Sequence, residues 1–72
     1  MLEQYRFTIW YMALSDGALQ FLSPMIVDAL DEAEAMRTGY TLAGMMLSAG
    51  FAAKVMVRIE GDGVDRSIEL PN

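Results

Sequence analysis

The sequence predicts an α+β domain with two layers: an antiparallel sheet, with elements in the order ββαββ, and one helix packed on one face. Three observations support this prediction. Residues 5–14 combine aromatic and β-branched side chains, residues 33–47 repeat apolar side chains at helical spacing, and the last twenty residues alternate around a glycine-rich turn. A chain of 72 residues is expected to form a single domain, residues 1–72, around one core.

The first predicted strand is YRFTIWYMAL, residues 5–14. Its aromatic and β-branched content is typical of strands. One face carries Tyr5, Phe7, Ile9 and Tyr11, and the other carries Arg6, Thr8, Trp10 and Met12. Because both faces carry apolar groups, we expect a central strand or one that is covered on both sides. The following SDG, residues 15–17, predicts a turn, since Asp-Gly is a common type I′ pair.

Residues 18–30 allow two interpretations. As a strand they pair back on the first strand, and Pro24, which donates no hydrogen bond, indicates an edge or a bulge. This interpretation places three side chains on one face: Phe21, Met25 and Val27. As a helix, Ser23 is the N-cap and Pro24 takes the first helical position. We favour the strand because a hairpin turn precedes it and another helix start follows it.

That helix start lies in DALDEAEAM, residues 28–36. Asp28 or Asp31 can cap the helix, and Asp31 with Glu34 has capping-box spacing. Carboxylates in the first turns also suit the positive end of a helix dipole.

The predicted helix has one apolar face and a defined end. The expected face carries Ala33, Met36, Tyr40, Ala43 and Leu47. Gly39 and Gly44 weaken a helix, so we expect the helix to lie close on the sheet at these positions. Gly50 is suited to end it.

The last third of the chain predicts a hairpin, AAKVMVRIE and VDRSIEL around Gly61-Asp62-Gly63. In the first run Ala53, Val55, Val57 and Ile59 alternate with Lys54, Met56, Arg58 and Glu60. In the second, Val64, Arg66, Ile68 and Leu70 alternate with Asp65, Ser67 and Glu69. This hairpin is expected to complete the sheet against which the helix packs.

The composition predicts a binding partner. Hydrophobic residues make up 54% of the chain and the mean hydropathy is +0.28, which is more apolar surface than so small a globule hides alone. There is no cysteine and no histidine, so no disulfide forms and a zinc site is disfavoured. We therefore expect a protein interface, with a homodimer as its simplest form.

The net charge of −5 has two interpretations. It favours a basic protein partner over nucleic acid, whose phosphates repel an acidic chain. It also keeps a small apolar protein soluble, which is the simpler explanation. MLEQYRF lacks the pattern of a signal peptide and FTIWYMAL is too short to span a membrane, so we expect a cytoplasmic protein without a membrane partner.

Residues that support enzyme chemistry are scarce. Without histidine or cysteine, general bases and nucleophiles are limited, and Lys54, the single lysine, is expected on a strand face. GDG is too short for a phosphate or calcium loop. We expect a non-enzymatic protein without catalytic residues, cofactor or metal.

Two surfaces remain as candidate sites. The first consists of carboxylates near the helix start, which can dock a basic protein, although capping explains the same residues. They are Asp28, Asp31, Glu32 and Glu34. The hairpin can extend this surface through Glu60, Asp62, Asp65 and Glu69.

The second candidate is the sheet face opposite the helix. Trp10, Met12 and Met56 predict a protein contact if this face is uncovered. Alternatively, Trp10 stacks on a base while Arg6, Lys54 and Arg58 hold phosphates, as in a small nucleic-acid-binding protein. Ordinary mixed surface and a structural subunit of a homo-oligomeric assembly are further alternatives.

The short length, the strand pairs around a helix that opens with DALDEAEA, and the acidic balance resemble small anti-CRISPR inhibitors of phages and mobile elements. The resemblance covers most of the chain, but only as architecture, and transfers no site residue. It implies a non-enzymatic inhibitor that occludes a surface of a bacterial defence complex in the host cytoplasm.

Overall fold

The computed structural model describes residues 1–71 and confirms an α+β fold with one helix packed on an antiparallel sheet. Its elements are β1 (Glu3–Ala13), β2 (Leu19–Phe21), β3 (Met25–Ala29), α1 (Glu32–Ser48), β4 (Ala52–Gly61) and β5 (Val64–Leu70). The strand order is β2-β1-β4-β5, and β3 pairs with β1 beside β2. The predicted order ββαββ is approximate, because the second predicted strand is divided in two.

Strand β1 lies at the centre of the sheet, as its two apolar faces predict. It pairs with β4 on one side and with β2 and β3 on the other. The side chains of β1 and β4 that point towards α1 form most of the core and are almost completely buried: Tyr5, Phe7, Ile9, Val55, Val57 and Ile59. The hydrophobic effect on these side chains holds the two layers together.

The segment that allowed two interpretations forms strands, so the helix interpretation of residues 18–30 is wrong. The expected common face is correct for Met25 and Val27 and wrong for Phe21. Phe21 lies opposite Trp10, whereas Met25 lies opposite Phe7. Between these two pairs, β1 spans three residues, from Trp10 to Phe7, and the partner spans four, from Phe21 to Met25. The break at Pro24 inserts the extra residue. A one-residue shift reverses the face, so Phe21 points away from α1 while Met25 points towards it.

The first turn also differs from its prediction. A type I′ turn needs a positive φ at both central residues, but Gly17 has a φ of 73° and Asp16 does not have a positive φ. Instead, the backbone N–H of Ala13 donates to the carbonyl of Ala18 across a longer loop (2.8 Å). The Asp16 carboxylate accepts from the Ala18 N–H (2.9 Å), which stabilises this loop.

The helix begins and ends where the sequence predicts. The Asp31 carboxylate caps it by accepting from the Glu34 N–H (2.9 Å), and the Glu34 carboxylate accepts from the Leu30 N–H (3.1 Å). A cap of this kind stabilises a helix by about 1 kcal/mol. At the other end, Gly50 has a φ of 85° and donates to the Leu47 carbonyl (3.1 Å).

The predicted face of α1 is correct for Ala43, which is buried, and for Met36 and Leu47, which pack against the core, but it is wrong for the rest. Ala35, Gly39 and Ala43 are buried, while Ala33 and Tyr40 are exposed. The prediction missed Ala35 and Gly39 because it followed the large apolar residues of the helix. The sheet supplies the bulky side chains of the core, and the helix meets them with small ones.

Gly39 is the point of closest approach between the two layers. A Cβ built at this position would lie 2.9 Å from the Cδ1 atoms of both Ile59 and Ile68. Gly44, in contrast, has no neighbour within 4 Å of a built Cβ. The expected close approach to the sheet is therefore confirmed for Gly39 and wrong for Gly44.

The final hairpin is confirmed. Asp62 and Gly63 have φ values of 48° and 75°, as a type I′ turn requires, and Gly61 pairs with Val64. The predicted alternation fails only at Ala53, which is exposed. An irregularity in the β1–β4 register beyond Met12 buries Ala52 instead.

Substitution at the two helix glycines tests this packing. Gly39→Leu should lower the free energy of unfolding by about 2 kcal/mol, because the added side chain overpacks the layer interface. The matched variant Gly44→Leu should raise it by about 0.7 kcal/mol through helix propensity. Urea denaturation measures both, and equal effects of the two variants would contradict the packing described.

Burial of Tyr5 makes the stability of the fold depend on pH in the alkaline range. Burial raises the pKa of the Tyr5 hydroxyl above its ordinary value of 10.0, and the Asp62 carboxylate adds to this shift. The neutral hydroxyl is therefore favoured in the folded chain. Its stabilising contribution is complete below the unfolded pKa of about 10 and is lost as the pH rises through the raised folded pKa.

Tyr5→Phe should consequently reduce the loss of stability at high pH, while Tyr40→Phe, at an exposed position, should not. The measurement is the urea midpoint of each variant at about pH 7 and about pH 11. If Tyr5→Phe and the wild type lose stability to the same extent, Tyr5 does not carry this dependence.

Candidate functional site

Helix α1 covers one face of the sheet, and the alternation along β1 defines the other. Phe7 and Ile9 point towards α1 and are buried, so Thr8 and Trp10 point the opposite way. Directly opposite residues of antiparallel strands share a face, so the register extends this side across the sheet. We call it the open face. On β1 and β3, and on β4 from Lys54 onward, the open face carries the even-numbered residues. On β2 and β5 it carries the odd-numbered residues.

One half of the open face is apolar. The rings of Trp10 and Phe21 pack edge to face, with centroids 5.8 Å apart, and Trp10 lies opposite Met56 on β4. The next row pairs Met12 with Leu19. We call these five side chains the apolar patch: Trp10, Met12, Leu19, Phe21 and Met56. The predicted contact residues of this face are thus brought together.

Leu19 and Phe21 are the members of the patch that sequence reasoning missed. Phe21 is 64% exposed and Leu19 is 50% exposed, and both lie on the short edge strand β2. Their face is set by the loop between β1 and β2, which pairs Met12 with Leu19 and Trp10 with Phe21.

A shallow groove of about 320 Å³ borders the apolar patch. Trp10, Leu19 and Met56 form its apolar side, and Ser67 and Glu69 of β5 form its polar side. The groove is open to solvent and contains no pair of groups suited to acid–base chemistry.

The other half of the open face carries ion pairs. The Arg58 guanidinium donates to both carboxylate oxygens of Asp65 (3.0 and 2.8 Å), and its Nη2 lies 3.6 Å from Glu60. Lys54 Nζ lies 2.8 Å from Glu69. The hydrogen bond from Arg58 lowers the pKa of Asp65 and raises the pKa of Arg58. These exposed pairs add little stability, but they neutralise one another.

The negative charge of the chain therefore lies mainly elsewhere. The open face has three cations, Arg6, Lys54 and Arg58, and four carboxylates, Asp28, Glu60, Asp65 and Glu69. It contributes −1 to the net charge of −5. The helix layer and the turns carry the remainder, so the open face is nearly neutral in an acidic protein.

The carboxylates near the helix start do not share one surface. Asp31 and Glu34 are engaged in capping, and Glu32 accepts from Arg66 on β5 (2.9 Å). Asp28 lies opposite Gln4 and belongs to the open face. The local roles of the first three account for their positions, and their predicted role in docking is a separate prediction that these contacts do not test. Asp62, in the hairpin turn, is exposed.

The cations of the nucleic-acid alternative are mostly occupied. Lys54 and Arg58 are held by carboxylates of the same face. Arg6 is exposed, and within residues 1–71 no carboxylate oxygen lies within 4.0 Å of its guanidinium. A phosphate backbone would have to displace Glu69 and Asp65 to reach two of the three cations.

Metal and membrane binding have no structural signal in the described part of the chain. Among residues 1–71, no three carboxylates come together as a set of metal ligands. Over the same residues, no helix has both the length and the apolar character required to cross a bilayer.

The fold and the site define a class: a two-layer α+β domain with one covered and one open sheet face. No protein-family model matches the chain, and no curated protein and no solved structure matches it significantly. The resemblance to anti-CRISPR proteins thus stays a prediction, and the argument for function rests on the open face.

Occupied cations predict weak nucleic-acid binding. We expect the wild-type chain to bind a labelled single-stranded oligonucleotide with a Kd above about 10⁻⁴ M at physiological salt, measured by fluorescence polarisation. Tighter binding that is lost on reversing Lys54→Glu and Arg58→Glu, but retained by Arg37→Glu on the helix, would support the nucleic-acid alternative instead.

Proposed function

We propose that this chain is a non-enzymatic protein-binding domain and that the open face is its contact surface. One observation carries the proposal: five apolar side chains, two of them aromatic, lie together on a sheet face that α1 does not cover. A monomer gains nothing by exposing such a patch, whereas a protein interface buries it favourably.

The arrangement of the open face matches the anatomy of protein interfaces. Tryptophan and tyrosine, with arginine, dominate the binding energy of such surfaces, and methionine adapts to a partner's shape. Around the apolar centre, interfaces have a polar rim. Here Trp10 and Phe21 supply the centre, and the pairs Lys54–Glu69 and Arg58–Asp65 lie on one side of it.

The proposed action is occlusion or assembly, because the groove lacks groups that could transform a substrate. In the narrower form that the anti-CRISPR resemblance implies, the chain is a phage-encoded inhibitor that covers a surface of a bacterial defence complex in the host cytoplasm. In that form, the acidic helix layer, including Glu32 and Glu34, faces basic parts of the complex.

Two methionines give a matched test of the open face. Met56 lies in the apolar patch opposite Trp10 and is half-buried, and Met45 lies on the outer side of α1 and is 63% exposed. Met56→Glu should weaken protein binding by about 30-fold or more, since it places a charge in a contact centre. Met45→Glu should leave binding unchanged.

The measurement is recovery of stoichiometric protein by a tagged chain from a nuclease-treated bacterial lysate that also contains untagged chain. We expect a bound protein, either the untagged chain or another, that Met45→Glu retains and Met56→Glu loses. Equal loss with both variants, or no bound protein at all, would contradict the proposal. A complex that nuclease removes would favour the nucleic-acid alternative.

A further inference from the structure

We propose that the open face packs on the open face of a second copy of this chain, around a twofold axis parallel to β1 and β4 and midway between them. The inference rests on the proposed function, because it names the partner of the surface assigned there. Three properties of the face support it: its area, its charge and its symmetry.

The area of the open face suits a stable dimer. The molecule measures 42 × 18 × 17 Å, and its long axis follows the strands, since the 11 residues of β1 extend for about 37 Å. A face of 42 by 18 Å covers roughly 750 Å², close to the value of about 800 Å² that each partner buries in an interface of standard size.

The charge of the open face suits a copy of itself. A basic partner would be attracted to the helix layer and turns, which carry most of the charge of −5. The open face is nearly neutral, because Lys54 and Arg58 are paired with carboxylates of the same face. Two copies can therefore meet through this face without strong repulsion, despite the acidity of the whole chain.

The symmetry follows from the register of the two central strands. A twofold axis that runs between the stacked faces, parallel to β1 and β4, places β1 of each copy over β4 of the other. From Arg6 to Met12, each open-face residue of β1 pairs with one residue of β4 in its own chain. In the dimer, it faces that same β4 residue of the second copy. Trp10, opposite Met56 in the chain, faces Met56 of the second copy, and Arg6, opposite Glu60, faces Glu60 of the second copy.

The contacts of Trp10 and Arg6 are favourable, while Met12 lies over Lys54 of the second copy. The Trp10–Met56 contact joins an aromatic ring and a thioether sulfur. Glu60 of the second copy supplies a carboxylate to Arg6, which has none within 4.0 Å among the described residues of its own chain. Phe21, in the same row as Trp10, then lies over the polar side of the groove at Glu69.

The other simple twofold arrangement fits less well. An axis perpendicular to the strands would turn β1 over β1 of the second copy in the opposite direction. With that axis at the level of Trp10, Trp10 and Met56 would each face their own copy, but Lys54 would face Arg58 and Glu69 would face Glu69. This arrangement brings like charges together and gives Arg6 no carboxylate, whereas the axis parallel to the strands gives Arg6 the carboxylate of Glu60.

The first test measures mass in solution by light scattering at about 100 µM, above the micromolar end of the Kd range for interfaces of this area. We expect the wild type and Met45→Glu to have twice the single-chain mass of 8.0 kDa, and Met56→Glu, which places a charge over Trp10 of the second copy, to have the single-chain mass. Circular dichroism confirms that each variant is folded, and Trp10→Ser replaces Met56→Glu if that variant does not fold.

The second test distinguishes contacts between chains from contacts within a chain. In a homodimer of Arg6→Glu, two carboxylates meet wherever position 6 faces position 60 of the other chain. In a homodimer of Glu60→Arg, two cations meet there. Each variant alone should therefore dissociate at least 10-fold more readily. Mixing the two variants in equal amounts should restore dimers, because every position 6 then faces an opposite charge at position 60 of the other chain.

The outcomes separate this inference from the proposed function. Dimers that form in the mixture, but in neither variant alone, support the arrangement. Dimers in each variant alone, or no recovery on mixing, overturn the proposed axis. A wild type that stays monomeric overturns the dimer, and the proposed function then stands only if Met56→Glu loses another protein that Met45→Glu retains. If both results fail, both proposals are wrong.

Discussion

A single helix covers only one face of a sheet, and this constraint determines most of the molecule. Helix α1 packs on one face through Ala35, Gly39 and Ala43, so its backbone lies close to Ile59 and Ile68. The bulky side chains that point towards α1 from the centre of the sheet are buried as a result, except Tyr11, which is half-buried. The side chains that alternate with them, including Trp10 and Met56, remain on a face that the chain itself does not cover.

The two faces of the sheet differ in the interactions that their side chains make. The covered face relies on apolar burial, and residues 1–71 leave no buried side-chain polar atom without a hydrogen-bond partner. The open face combines an apolar patch with ion pairs at Lys54 and Arg58, each of which adds little to stability on its own. Their effect is instead to make that face nearly neutral, which suits a contact with protein better than one with phosphate.

Local signals in the sequence were sufficient for the elements with strong patterns. The capping pair Asp31 and Glu34 and the alternation of β4 and β5 each act within a few residues, so they are readable without the fold. The burial of Ala35 and Gly39 on α1 could not be predicted, because these residues are small and the bulky side chains of the core lie on the sheet. The faces of Met25 and Val27 depend on one inserted residue near Pro24, whose position only the pairing with β1 determines.

The most direct test of the account asks whether protein covers the open face. Peroxide converts accessible methionine to its sulfoxide, and mass spectrometry follows each methionine separately. We predict that Met12 and Met56 oxidise more slowly in the concentrated wild type than in the Arg6→Glu variant, while Met45 oxidises at the same rate in both. Equal rates at Met12 and Met56 in the two proteins would show that the open face stays in contact with solvent, and would contradict the account.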